Sequence, residues 1–381
     1  MANGAIRLLL MGAFSLLLAA TESAGKYAPA TLCELASADV IAVGTIVRLS
    51  ADSYTLRVSQ WVAGERPRKE LNIQRFIDWQ DASREKPYQM DQQLMVFLEK
   101  LPGGSYRAIG AACEGEVFLE EGKAHLRFPP APDNVPEGDL IEAMAELRET
   151  RLERDDGDYA ANAVRLLGSR RRVVRAATLE TLMRDAAKWH GPSVEAPFGE
   201  LLLYAVVHPE RDVRVTGASW LGMRLGLQGT VGQPLLERLD ELLASGRPEV
   251  RAATALAVTF IKPDDPRRHS LLLRTLSDAA VPLEDRRAVA AEMIHLAKPR
   301  RSVGVGVPIL GLGVREAARP TMADLREPAL KALATNQDKD VAIGVLAYLA
   351  AMFDIPDPVP ANIDALKRAW AEIFAAATER D

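Results

Sequence analysis

The strongest constraint on this chain is a phrase that recurs. Val174-Arg175-Ala176-Ala177, Val213-Arg214-Val215, Val250-Arg251-Ala252-Ala253 and Arg286-Arg287-Ala288-Val289 follow one another at intervals near 37 residues, and each opens an Ala/Leu-rich run. A period close to 40, with helical patterning on both sides, predicts stacked helix pairs. Such arrays bury a continuous core between neighbours and leave a long surface open, which suits binding better than catalysis.

The helical part begins with Asp139 to Arg154, where Leu140, Ile141, Ala143, Met144 and Leu147 share one face. Beyond it, a polar cap region leads each time into the Val-Arg phrase. In Pro209-Glu210-Arg211-Asp212 and Gly246-Arg247-Pro248-Glu249 the proline sits near a helix start, where its missing N–H costs little. Acidic residues there suit the positive end of the helix dipole. Asp212-Val213-Arg214-x-x-Gly217-Ala218 and Pro248-Glu249-Val250-Arg251-x-x-Thr254-Ala255 are the clearest copies, and Arg170–Ala177, Asp285–Ala290 and Asp338–Val341 are partial ones. These residues resemble the HEAT-repeat family. The resemblance implies an α-solenoid of about five HEAT-like helix pairs over residues 138–381, with the arginines bonding within or between repeats. A terminal helix, Asn362 to Glu379, is expected to cap it through Trp370 and Phe374.

The interval from Arg287 to Ala342 is 55 residues, which leaves room for an insertion at 298–320. This glycine/aliphatic stretch is neither a phosphate loop nor a dinucleotide fingerprint, because the lysine and the strand-turn-helix setting are missing. Insertions in repeat arrays fall in loops, often on the binding face. Gly304, Gly306, Ile309, Leu310 and Gly311 are therefore candidate partner-binding residues, able to add to a partner's sheet edge. The alternative is a loop tucked onto its own array.

Residues 26–128 read differently. Val40–Val47 is a β-branched run, Tyr54–Val62 and Leu71–Phe76 alternate, and Leu94–Leu98 is wholly apolar. Pro102-Gly103-Gly104 and Glu121-Gly122-Lys123 supply turns. Seven short strands in this length predict a small β-barrel. The succession Cys33-Glu34-Leu35, Ala38–Val47, Val62-Ala63-Gly64, Pro87-Tyr88, Gln92–Leu98 and Gly110 resembles OB-fold modules of bacterial secreted proteins. Those modules are similar to the N-terminal domain of the tissue inhibitors of metalloproteinases. The resemblance implies an OB-like barrel. In the inhibitors an N-terminal cysteine chelates the protease zinc through its amine and carbonyl; no inhibitory residue is carried over here. Trp61, Phe76, Trp79 and Tyr88 could line a binding face or simply pack the barrel, and Trp79, in the polar loop 78–86, is the candidate contact residue.

Between the two parts, residues 129–137 hold four prolines and read as a stiff linker. The fold class is thus multi-domain, β followed by all-α.

Residues 1–25 have the features of a signal peptide: Arg7, the uncharged run Leu8–Ala20, then small residues. A periplasmic or secreted protein is expected, with membrane association only if this segment stays uncleaved. In an oxidising compartment Cys33 and Cys113, the two cysteines of the chain, are candidates for a disulfide; two buried thiols are the alternative.

The five histidines are scattered, with no i, i+4 pair, and no Gly-x-Ser-x-Gly elbow occurs. No catalytic residue, metal ligand or cofactor is expected. The net charge of -5 argues against a nucleic-acid partner. The reading is an exported, non-enzymatic protein-binding or scaffold protein with protein partners. An envelope protease inhibitor acting through the barrel is one alternative, and a lyase-like or chromophore-attaching HEAT protein is the other.

Overall fold

A computed structural model describes residues 30–66, 68–76, 86–110, 113–126, 135–152, 158–188, 195–228, 231–297, 320–335, 338–353 and 368. A one-turn helix, α1 (Leu32–Leu35), precedes eight strands: β1 (Val40–Leu49), β2 (Ser53–Gly64), β3 (Glu70–Gln74), β4 (Gln93–Lys100), β5 (Tyr106–Ala108), β6 (Glu116–Glu120), β7 (Lys123–His125) and β8 (Val135–Pro136). They form one sheet in the order β1-β2-β3-β5-β4-β6-β7-β8. A second pairing, β1 with β4, closes the first five into a barrel. Among the described strands only β3 and β5 pair in parallel. A closed five-strand barrel is compatible with the OB-like barrel expected from the sequence.

Closure explains the two apolar runs. Val40, Ala42 and Ile46 of β1 and Leu94, Val96 and Leu98 of β4 fill the barrel with Tyr54, Leu56, Leu71 and Ile73. The alternate residues, Ile41, Val43, Met95 and Phe97, point outward into a second core. A strand buried on both faces loses its polar alternation. At Gly64 the backbone turns to φ +82° and passes so close to Asp39 that a Cβ would lie 2.0 Å from its carbonyl oxygen. Only glycine fits there. The β6–β7 turn has positive φ at both Glu121 and Gly122, the twist that a two-residue hairpin needs.

The helices are α2 (Glu137–Glu149), α3 (Tyr159–Leu167), α4 (Arg172–Lys188), α5 (Glu195–Val207), α6 (Arg211–Gln228), α7 (Gln233–Ser245), α8 (Pro248–Ile261), α9 (Pro266–Leu276), α10 (Leu283–Ala297), α11 (Met322–Thr335) and α12 (Lys339–Met352). From α3 onward each packs on the next in pairs: α3 on α4, α5 on α6, α7 on α8, α9 on α10 and α11 on α12. The second members also stack, α4 on α6, α6 on α8, α8 on α10 and α10 on α12. Small residues permit this: a Cβ on Gly226 would meet the Phe260 carbonyl oxygen at 2.3 Å, so α6 and α8 touch backbone to backbone. From Val250 to Ile261 every residue of α8 except Arg251 is buried, as expected of a helix enclosed on several sides.

The outward core of the barrel is also the first core of the helices. Leu32 and Leu35 of α1, Phe97 and Met95 of β4, Leu140, Met144 and Leu147 of α2, and Val174 and Ala177 of α4 form one cluster. The expected signal 1–25, residues 129–134 of the expected linker, residues 298–319 of the expected insertion and the expected terminal helix apart from Arg368 lie outside the described residues. The last linker residues are built into the fold: Val135 and Pro136 pair with β7, and the Glu137 N–H donates to the Gly122 carbonyl before α2 begins. Among the described residues no helix is long and apolar enough to cross a membrane.

Candidate functional site

Two polar constellations stand out, and both lie where elements meet. The first is a rail of arginines, one from each copy of the recurring phrase. Arg175, Arg214 and Arg251 each sit in the first turn of the second helix of the pair, a few residues after the first helix ends, and Arg287 is the fifth residue of α10. Arg175 Nη1 donates to the carbonyls of Ser169 (2.9 Å) and Arg170 (3.1 Å). Arg214 Nη1 donates to those of His208 (2.7 Å) and Pro209 (2.9 Å), and Arg251 Nη1 to that of Gly246 (3.2 Å). These carbonyls lie just past a helix end, where no intrahelical donor reaches them.

The rest of each guanidinium turns to a carboxylate further along the chain. Arg175 meets Asp212 at 3.0 Å and Glu210 at 3.3 Å; Arg214 meets Asp285; Arg251 meets Asp278 at 3.0 Å; Arg287 meets Asp338 at 2.6 Å. Asp338 also caps α12, accepting from the Asp340 and Val341 N–H groups. The Arg287 hydrogen bond, with help from the cap, holds its carboxyl down at about 2. All three nitrogens of Arg175 and of Arg214 are engaged within the protein, and both residues are buried. The rail is therefore a structural fixture.

The second constellation joins barrel to helices. Thr31 caps α1 in a reciprocal box: its hydroxyl accepts from the Glu34 N–H (3.1 Å), and Glu34 Oε2 accepts from the Thr31 N–H (2.8 Å). Thr31 Oγ1 lies 3.1 Å from the hydroxyl of Thr181 on α4. Arg184, one turn on, donates to Glu180 Oε1 at 2.6 Å and lies 3.7 Å from Glu34 Oε2. From α2, Arg148 donates to the carbonyls of Ala36 and Ala38. Burial, opposed by Arg184 and reinforced by Glu34, pushes the Glu180 carboxyl up to about 7. The chemistry available here is proton exchange near neutrality.

Inside the barrel, Glu116 accepts from Tyr54 Oη (2.7 Å) and Tyr88 Oη (3.0 Å), and Tyr88 accepts from the Phe76 N–H (2.8 Å). Tyr88 is thus turned inward, and Trp61 is half-buried against the barrel core. The Tyr88 ring is also covered by the Arg75 guanidinium, 4.7 Å from its centroid. Trp79, Gly304, Gly306, Ile309, Leu310 and Gly311 lie outside the described residues. Cys33 is half-buried on α1 and packs against the shared core; the Cys113 backbone opens the short turn before β6, and its side chain lies outside the described residues.

Among the described residues no three His, Cys, Asp or Glu side chains gather as metal ligands would. The sequence reading singled out neither Glu180 nor Arg184, although both signals were present: Thr31-x-x-Glu34 is a capping box, and Glu180 and Arg184 are i, i+4 partners. What was not legible is that the two would meet. No protein family matches the chain, nor does any curated protein or solved structure.

Proposed function

We propose that this chain is an exported, non-enzymatic protein-binding or scaffold protein, built from an OB-like barrel seated on a HEAT-like α-solenoid. The observation that carries the reading is the arginine rail. The same residue, in successive copies of one phrase, ties down the turn of its own pair and bonds a carboxylate of a later pair. That is the behaviour the HEAT resemblance implies, and it supports an array whose long surface is free for a partner. The insertion 298–320 and the loop around Trp79 are the segments proposed to meet that partner. A Cys33–Cys113 disulfide is proposed with it, as an export-compatible fastening of the barrel.

The inhibitor alternative needs a chain that starts at Cys33. Thr31 is fully buried, caps α1 and touches Thr181, so that stretch is built into the junction. This favours the scaffold reading. The test is affinity capture from envelope extract with the mature chain, beside one lacking residues 300–315. A stoichiometric partner lost on deletion supports the reading and its loop. A partner retained moves the site to the array or the barrel. No partner at all overturns it.

A further inference from the structure

We infer that the joint between barrel and helices is a proton-controlled latch, in which acidification fastens α1 to α4 through Glu180, Arg184 and Glu34. The geometry is that of one guanidinium between two carboxylates. Glu180 lies on the same helix as Arg184, whereas Glu34 belongs to the barrel side. With Glu180 ionised, Arg184 is held by its own helix. With Glu180 neutral, the charge of Arg184 is turned to Glu34, across the joint.

Thermodynamic linkage gives the direction. Docking places Glu34 near Glu180, in a site where Glu180 and Arg184 are both buried. The Glu34 charge holds a proton on Glu180, so a proton on Glu180 must in turn favour docking. Other charged groups described around α4 have partners of their own. On α2, Arg148 bonds the Ala36 and Ala38 carbonyls, and Glu142 and Glu146 meet Arg171. Arg165 of α3 pairs with Glu149, and from α6 Asp212 meets Arg175. Arg224 of α6 has its pKa lowered by burial alone.

The switch is sited in a small motif. The Thr31 cap and the Glu34 carboxylate hold each other, so any change in how Arg184 engages Glu34 is passed to the start of α1. The Thr31–Thr181 contact carries it to α4.

The test is hydrogen–deuterium exchange on the full chain, following the amides of residues 31–38 against those of α8 as an internal clock. With the carboxyl at about 7 when docked and lower when undocked, protection of 31–38 relative to α8 is expected to fall, by at most about tenfold, between pH 6 and pH 8. Glu180→Gln is expected to abolish the fall. Glu34→Gln keeps the capping box, since glutamine serves at that position, but removes both the repulsion on Glu180 and the carboxylate to which Arg184 turns, so the fall is expected to shrink and its midpoint to move to lower pH. Equal protection at both pH values in the natural chain, or an undiminished fall in Glu180→Gln, overturns the latch. If Glu180→Gln fails to fold, an undiminished fall with an unchanged midpoint in Glu34→Gln does so.

Discussion

Arg214 reaches Asp285, 71 residues further along the chain, and leaves out the helix pair between them. In the first step of the rail, Arg175 finds Asp212, the acid two residues before the next arginine. The equivalent acid for Arg214 is Glu249, which pairs with its neighbour Arg247 instead. Arg251 falls back to Asp278, just past the end of α9. Helix α8 is set deep among its neighbours, and α6 and α10 also pack on each other.

This skip gives the first prediction. Arg214 and Asp285 are about 5% exposed, so removing one strands the other's charge in the interior. Arg214→Ala or Asp285→Ala is expected to cost about 3 kcal/mol, read from urea midpoints. Arg251→Ala breaks a pair about one-third exposed and should cost at most about 1 kcal/mol. Equal losses at the two sites would show that the skipped contact carries no special weight.

Asp338 gives a prediction in acid. Its carboxyl is held at about 2, below the ordinary 3.8, chiefly by Arg287. A depressed carboxylate stabilises the fold above the unfolded value and loses that contribution as the pH falls through the folded one. Asp338→Asn retains the cap but not the charge. The natural chain should therefore be the more stable above about pH 4, and the two should converge near pH 2 in acid-unfolding curves.

His269 is buried between two partners. Nε2 faces the Pro263 carbonyl at 2.9 Å, which can only accept, so the ring proton sits there and Nδ1 accepts from Tyr348 Oη. Burial lowers the histidine pKa and raises that of the tyrosine. The neutral ring is the stabilising form: its contribution is present above the ordinary histidine value of about 6.5 and is lost as the pH falls below it. Tyr348→Phe leaves Nδ1 without a donor and should cost about 1–3 kcal/mol. A ring that protonates at the ordinary pH in a nitrogen NMR titration would contradict this arrangement.

Gly226→Ala tests the crossing of α6 and α8. The added methyl would sit 2.3 Å from the Phe260 carbonyl oxygen, which belongs to backbone and cannot swing away. A loss of about 1–3 kcal/mol is expected from thermal unfolding, despite the better helix propensity of alanine.

The sequence by itself determined the local grammar. It showed where alternation gives way to helical periodicity, which glycines and prolines mark turns, and which arginine recurs. These are legible because period, cap and turn chemistry are properties of a few neighbouring residues. It also gave the barrel's apolar strands, although not why two of them lack polar faces. Tertiary structure alone decided that β1 and β4 are covered on both sides, and that the residues at the end of the supposed linker join the sheet. It decided as well that Arg214 passes over Glu249 to Asp285, and that Glu34 of the barrel meets Glu180 and Arg184 of the array. Those outcomes depend on how cores close and on which charges are dehydrated together. Sequence spacing carries no record of either, because residues 150 positions apart, such as Thr31 and Thr181, become neighbours only when the apolar faces beneath them have packed.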